Sequence, residues 1–172
     1  MTAGTAAGFV GTIGLDWPLI AYAAFLLLGG ALLVTDLEDF RIVDRLNLRG
    51  SAIIAALLGV TAIATGEYLA LLRGLAGAGL YFAGALTLWL IARGRSFGGG
   101  DVKLAPQIGL FTAYVSWGTL GWSAFFTAMI GGIVAFGLLA SGKASGKTEL
   151  PYGPPMILGS WLAIALMGLG WP

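Results

Sequence analysis

The sequence predicts an all-α, polytopic membrane protein with six transmembrane helices. Three observations carry that prediction. The chain has 172 residues, of which 58% are hydrophobic and only 10% charged, with a mean hydropathy of +0.92; soluble domains carry about 25% charged residues, so this composition cannot cover a water-facing surface. The charges fall in clusters separated by long uncharged runs. The lengths of those runs are close to one or two crossings of a hydrocarbon core about 30 Å thick.

Residues 1–15 are small, Gly-rich and uncharged and read as a lead-in tail. They hold no Lys or Arg, so they lack the basic region of a cleaved signal peptide, and the first apolar segment is expected to remain as an anchor. Asp16, Trp17 and Pro18 mark an interface, with Trp suited to the headgroup level and Pro to a first helical turn. The first helix is expected over 17–35, a charge-free run of 19 residues and about 28 Å of helix. A mixed-charge loop is expected over 36–49. The second helix follows over 50–66, a turn at Glu67 and Tyr68, and the third helix over 69–92. Between Lys103 and Lys143 lie 39 uncharged residues; one helix of that length would reach about 58 Å. Two helices, 102–116 and 119–141, joined near Ser116-Trp117-Gly118, fit better. A polar loop precedes the sixth helix, 152–170, whose opening Pro151-Tyr152-Gly153-Pro154-Pro155 is expected to be kinked or non-helical.

Charge distribution gives an independent check. With six spans, the loops at 36–49, 93–103 and 142–149 share one side. They hold Arg41, Arg45, Arg49, Arg93, Arg95, Lys103, Lys143 and Lys147, eight of the nine basic residues; Arg73 alone lies toward the other side. The positive-inside rule places the rich side in the cytoplasm and both termini outside it. The 29 glycines, in patterns such as Gly74-Leu75-Ala76-Gly77 and Gly131-Gly132, are read mainly as close-packing positions between helices.

The available chemistry is narrow. There is no Cys and no His, which excludes thiol catalysis, Ser-His-Asp triads and the usual zinc and haem ligand sets, so no metal and no cofactor are expected. A net charge of +1 offers no basic face for nucleic acid. Of the eight acids, Asp36 and Asp101 stand out. They are 65 positions apart in sequence, yet the six-helix arrangement sets both at the cytoplasmic depth, one ending the first helix and one starting the fourth. Two carboxylates that share a site do not both ionise easily. The ionised member of such a pair can activate a water while the protonated one donates to a carbonyl, which hydrolyses a peptide bond without a covalent intermediate. Gly98, Gly99 and Gly100 are expected to permit an extended backbone beside Asp101, with groups free to pair with a substrate strand.

Gly98-Gly99-Gly100-Asp101 resembles the Gly-x-Gly-Asp signature of membrane aspartic peptidases, and the continuation Val102-Lys103-Leu104 is similar to the type IV prepilin peptidase branch. Asp36-Leu37-Glu38-Asp39-Phe40-Arg41-Ile42-Val43-Asp44 matches in spacing the segment that follows the first Asp of that family, with Val43 where Pro is usual. Leu150-Pro151-Tyr152-Gly153-Pro154-Pro155 is similar to its Pro-Phe-Gly-Pro element. The resemblance covers nearly the whole chain. It implies an endopeptidase of the prokaryotic inner membrane, with Asp36 and Asp101 as the catalytic pair. The substrate would be the leader of a type IV prepilin or pseudopilin, cut on the cytoplasmic side, typically after a Gly. Gly98, Gly99, Gly100, Lys103, Pro151, Gly153 and Pro154 would shape the active-site backbone or bind substrate. The lipid bilayer, and pilus-assembly or secretion machinery, are the implied partners. Larger members carry a Cys-x-x-Cys domain linked with N-methylation. With no Cys and no room for that domain, this chain looks like the short form, similar to peptidases of tight-adherence (Flp-type) pilus systems, and methyltransferase activity is not expected.

Blander readings stand beside these. Asp36 has the alternative of a simple interface charge, and Asp39 is its rival three residues on. Asp101 in a first turn would favour the helix dipole. Lys103 would snorkel to headgroups. Glu38, Asp39 and Asp44 would form a solvated loop with Arg41 and Arg45. An ion-coupled transporter wants acids near the bilayer midplane, whereas all eight fall at expected helix ends or loops. A non-enzymatic pilus-assembly scaffold would tolerate loss of both acids. A presenilin-like protease shares Gly-x-Gly-Asp but cuts within the membrane plane.

Overall fold

The computed structural model describes residues 17–39, 44–92, 98–141 and 152–168. These form six α-helices and no strand: α1 (Trp17–Asp39), α2 (Asp44–Thr65), α3 (Tyr68–Ile91), α4 (Gly99–Val115), α5 (Trp117–Ala140) and α6 (Gly153–Gly168). Two of them, α3 and α5, each of 24 residues, are long and apolar enough to cross a membrane. The others hold shorter apolar stretches, Ile20–Ala31, Arg49–Thr65 and Gly153–Met167.

Helix α4 is the axle of the bundle. It packs against α2, α3, α5 and α6, and 12 of its 17 residues are buried. Two apolar clusters meet along it. One joins Tyr22 and Phe25 of α1, Ile54 and Leu58 of α2, and Phe111 of α4. The other joins Ala85 of α3, Leu104 and Ile108 of α4, and Met156 and Ile157 of α6. Leu28 and Trp161 pack against both. The contact of α3 with α4 is close because it is made of glycine: a Cβ on Gly77 would stand 2.2 Å from that of Ala113 and 2.7 Å from the Gly109 carbonyl oxygen. Small residues permit this approach where lipid supplies no hydrophobic drive between helices.

The described outer surface is rich in large apolar side chains, and buried polar residues accompany the apolar core. Leu69 is 80% exposed, Leu27 76% and Phe136 74%, whereas Asn47, Thr61, Gln107, Thr112, Thr119, Ser123 and Ser160 are buried. The apolar exterior suits lipid, while Ser51–Gln107 and Tyr81–Thr127 carry hydrogen bonds between helices inside.

Three boundaries differ from expectation. Residues 36–39 continue α1, and residues 44–49, expected in a loop, form the first turns of α2. Leu, Glu and Arg are good helix formers and raise no barrier to this. Gly99 and Gly100 are not extended; they make the first turn of α4, and only Gly98 keeps an extended conformation, as the N-cap. The sixth helix is regular from Gly153, with Pro154 and Pro155 in its first turn, where the N–H groups they lack would have no helical acceptor. The turn between α4 and α5 falls where expected. Ser116 is the N-cap of α5, its Oγ accepting the Thr119 N–H at 2.9 Å.

Candidate functional site

The site is built around Asp101. It occupies the third position of α4 and is 4% exposed. Its Oδ2 accepts two backbone N–H groups, from Gly98 at 3.2 Å and from Tyr152 at 3.3 Å. The first is half of a capping box: the acid reaches back to the N-cap amide, and glycine has no side chain with which to reciprocate. The second comes from the residue preceding α6. The Gly-Asp motif and the Pro-Tyr-Gly-Pro motif, 51 residues apart, thus converge on one carboxylate oxygen. A carboxylate among helical N-terminal amides is also favoured by the helix dipole.

Asp36 lies in the last turn of α1; its side chain is outside the described ones. Its height in the bundle follows from the helices themselves. Phe25 stacks on Phe111, with ring centroids 4.3 Å apart, and the Tyr22 hydroxyl donates to the Phe111 carbonyl. From that level Asp101 is ten residues back along α4, about 15 Å, and Asp36 is eleven residues on along α1, about 16 Å. Helix α6 gives a second ruler. A Cβ on Gly29 would meet Trp161 at 3.0 Å and Ile157 at 3.3 Å. Tyr22 and Phe25 pack at the level of Phe111 while Leu28, farther along α1, also reaches the cluster of Leu104 and Ile108 nearer the start of α4; α1 therefore runs antiparallel to α4, and its C-terminal end points toward the level of Tyr152. Both rulers bring the backbone of residue 36 to the end of the bundle that holds Asp101. Asp39 closes the same helix, three residues farther out.

The remaining expected residues divide. Gly98 is tied to the carboxylate, and a Cβ there would stand 3.1 Å from Asp101 Oδ2. Gly99 and Gly100 share the first turn with it. Gly153 is buried and Pro154 partly so, in the first turn of α6; Pro151 lies outside the described residues. Lys103 is exposed, and two helical positions carry it about 200° around α4 from Asp101.

Two features escaped the sequence reading. One is the Tyr152 amide. A signal for it existed: prolines flank the dipeptide Tyr152-Gly153 on both sides, so within 151–155 only these two residues have an N–H to give. The other is a polar contact deeper in the bundle, where the Ser51 hydroxyl donates to Gln107 Oε1 at 2.6 Å between α2 and α4. No periodicity marks that pairing.

No cluster of potential metal-ligating side chains occurs among the described residues. What the arrangement offers is a buried carboxylate oriented by backbone amides, at the same end of the bundle as a second acid-bearing helix terminus.

Comparison with known proteins gives no match to a family model and none to a solved structure. The chain is 28% identical, over 173 aligned residues and 95% of its length, to a prepilin leader peptidase/N-methyltransferase of Stutzerimonas stutzeri, and it spans about half, 56%, of that protein. This likeness supports the resemblance to prepilin peptidases already carried by the three motifs.

Proposed function

We propose that the chain is a membrane aspartic endopeptidase that removes the leader of a type IV prepilin or pseudopilin at the cytoplasmic face. The observation that carries this reading is the convergence of two separate motif segments on Asp101, held by the amides of Gly98 and Tyr152. The likeness to a prepilin leader peptidase supports the substrate class.

In this reading Asp36 and Asp101 share one proton and one water. The ionised carboxylate takes a proton from the water as its oxygen attacks the scissile carbonyl carbon. The protonated carboxyl gives its proton to the carbonyl oxygen, forming a tetrahedral diol. Collapse breaks the C–N bond: the departing amine takes a proton from the acid that received one, and a diol hydroxyl returns a proton to the other carboxylate, which restores the pair. No metal or cofactor enters. Six spans are read from the charge-free lengths, both termini outside and a cytoplasmic active site from the charge distribution, and exposed Lys103 stands at the rim among headgroups. The 172 residues contain no Cys, so any methylation that needs Cys-x-x-Cys motifs is not supplied by them. A tight-adherence (Flp-type) prepilin is the proposed substrate, and the pilus-assembly or secretion machinery that receives it the proposed partner.

The test is leader removal from a co-expressed, tagged Flp-type prepilin in a host without its own peptidase. Asp36→Asn and Asp101→Asn are each expected to lower the rate by about 10²–10⁴-fold, the usual span for a lost acid or base, while Asp39→Asn still cuts. Cleavage by all variants would remove the pair from the mechanism. Failure of the wild type across a panel that includes the organism's own prepilins would turn the function toward transport or assembly.

A further inference from the structure

The amide that reaches Asp101 from α6 belongs to a residue whose side chain is itself seated in a notch. The Tyr152 ring lies against Gly131 of α5: a Cβ on Gly131 would stand 2.9 Å from ring Cε1, 3.0 Å from Cζ and 3.1 Å from the hydroxyl oxygen. Real Cβ atoms essentially never come within 3.0 Å of another group, so any larger residue at 131 displaces the ring. The neighbouring Gly132 is different, with nothing among the described residues within 4 Å of its Cβ position. Of two adjacent glycines, one is shaped around Tyr152 and the other faces open space.

The ring has few ways to yield. Tyr152 has two side-chain torsions, and it leads directly into a helix whose first turn carries the fixed φ angles of Pro154 and Pro155. Its carbonyl already accepts the Met156 N–H at 3.0 Å as the first bond of α6. Whatever displacement the two side-chain torsions do not absorb is passed to the backbone whose N–H is bonded to Asp101 Oδ2. Farther along the pair, α5 and α6 approach closely again, where a Cβ on Gly159 would stand 2.7 Å from the Thr127 nitrogen.

The geometry points to Gly131 as a positioning residue for Asp101, acting through the Tyr152 ring and its backbone N–H. This rests on Asp101 being catalytic. It assigns to α5, which contributes no acid to the site, control of where the carboxylate stands.

The experiment compares Gly131→Ala and Gly131→Val with Gly132→Ala and Gly132→Val in the full chain. Three readouts are taken: prepilin cleavage, thermal unfolding in detergent, and amide exchange across residues 152–157. A 1 Å misplacement of catalytic geometry can cost about 10²-fold in rate. The expected result is a graded loss at 131, with kcat about 5- to 30-fold lower for Val, KM unchanged, the unfolding temperature kept and exchange faster at 152–157. The Gly132 variants are expected to match wild type in all three. Adding Tyr152→Ala to Gly131→Val, which keeps the N–H and removes the ring, is expected to recover much of kcat.

Wild-type kcat and exchange in both Gly131 variants would overturn the proposal and leave the peptidase reading standing. So would a loss of kcat accompanied by a lower unfolding temperature, even for Ala, and unrelieved by Tyr152→Ala. If no form cuts any prepilin while exchange accelerates only in the Gly131 variants, the coupling from Gly131 to Tyr152 stands and the peptidase reading falls.

Discussion

The carboxylate of Asp101 accepts backbone amides from two segments, which gives the glycines before it separate duties. Gly98 supplies one N–H, and its missing side chain leaves room for the acid it binds. A Cβ at Gly99, by contrast, meets only Trp89 Nε1, at an ordinary 4.0 Å. Gly98→Ala is therefore expected to slow leader removal by about tenfold or more through displacement of the carboxylate, while Gly99→Ala stays within about twofold of wild type. Initial rates at saturating prepilin decide it, and equal losses at both positions would return the glycines to a packing role. Asp101 itself was legible in the sequence because three glycines leading into an acid are an expensive way to begin a helix in lipid. The Tyr152 amide left only the flanking prolines as a signal, because a backbone donor has no residue type, and only tertiary packing shows where it points.

At the level of helices, α4 carries compensating charge at both ends. Asp101 faces the amides of its first turn. At the other terminus the Arg73 guanidinium donates through Nε to the Ala113 carbonyl, at 2.6 Å, and through an Nη to those of Tyr114 and Val115. Those carbonyls are among the last four of the helix and have no partner within it. Arg73 was conspicuous in the sequence as the one basic residue off the cytoplasmic side, and this contact is the physical reason it is there: a planar fork that reaches three oxygens answers the negative end of a buried helix. Arg73→Leu is expected to destabilise the fold by about 2–3 kcal/mol, the scale of charge-assisted hydrogen bonds lost together with exposure of their acceptors. Arg73→Lys should fall between the two, because an ammonium group cannot span three carbonyls. The side of α4 that meets α3 yields a prediction of opposite signs. Gly77→Ala forces its Cβ into Ala113 and the Gly109 carbonyl and is expected to cost about 1–3 kcal/mol, as overpacking does. Gly79→Ala, on the same helix with nothing within 4 Å, is expected to gain about 0.5–1 kcal/mol from helix propensity. Equilibrium unfolding in detergent measures all four variants. Helix existence was readable from charge-free lengths. Helix ends were not, since the charged residues at 36–39 and 44–49 are as content in a helical turn as in a loop, and composition alone does not choose between them.

For the whole molecule, the decisive arrangement is that three chain segments reach one end of the bundle. Tyr152 touches Asp101 directly, so α4 and α6 begin at that end, and the antiparallel packing of α1 on both brings its C-terminus there too. With the turns at Gly66 and Ser116 at the opposite end, the order of helices alternates as six spans require. Among the described basic residues, Arg49 at the start of α2 and Lys103 at the start of α4 lie toward that end, and Arg73 toward the other. A leader peptide is drawn from the cytoplasm, so the peptidase reading demands that this end face inward. The absence of Cys makes the test clean. Glu67→Cys and Gly118→Cys are expected to react with a membrane-impermeant maleimide applied to intact cells stripped of their outer barrier. Ser96→Cys and Ser145→Cys are expected to react only after the inner membrane is opened. The reverse pattern would turn the molecule over and put Asp101 on the side from which no prepilin leader can approach. Labelling of all four from outside would take the chain out of the six-span arrangement, and with it the argument that brings Asp36 and Asp101 to one membrane depth.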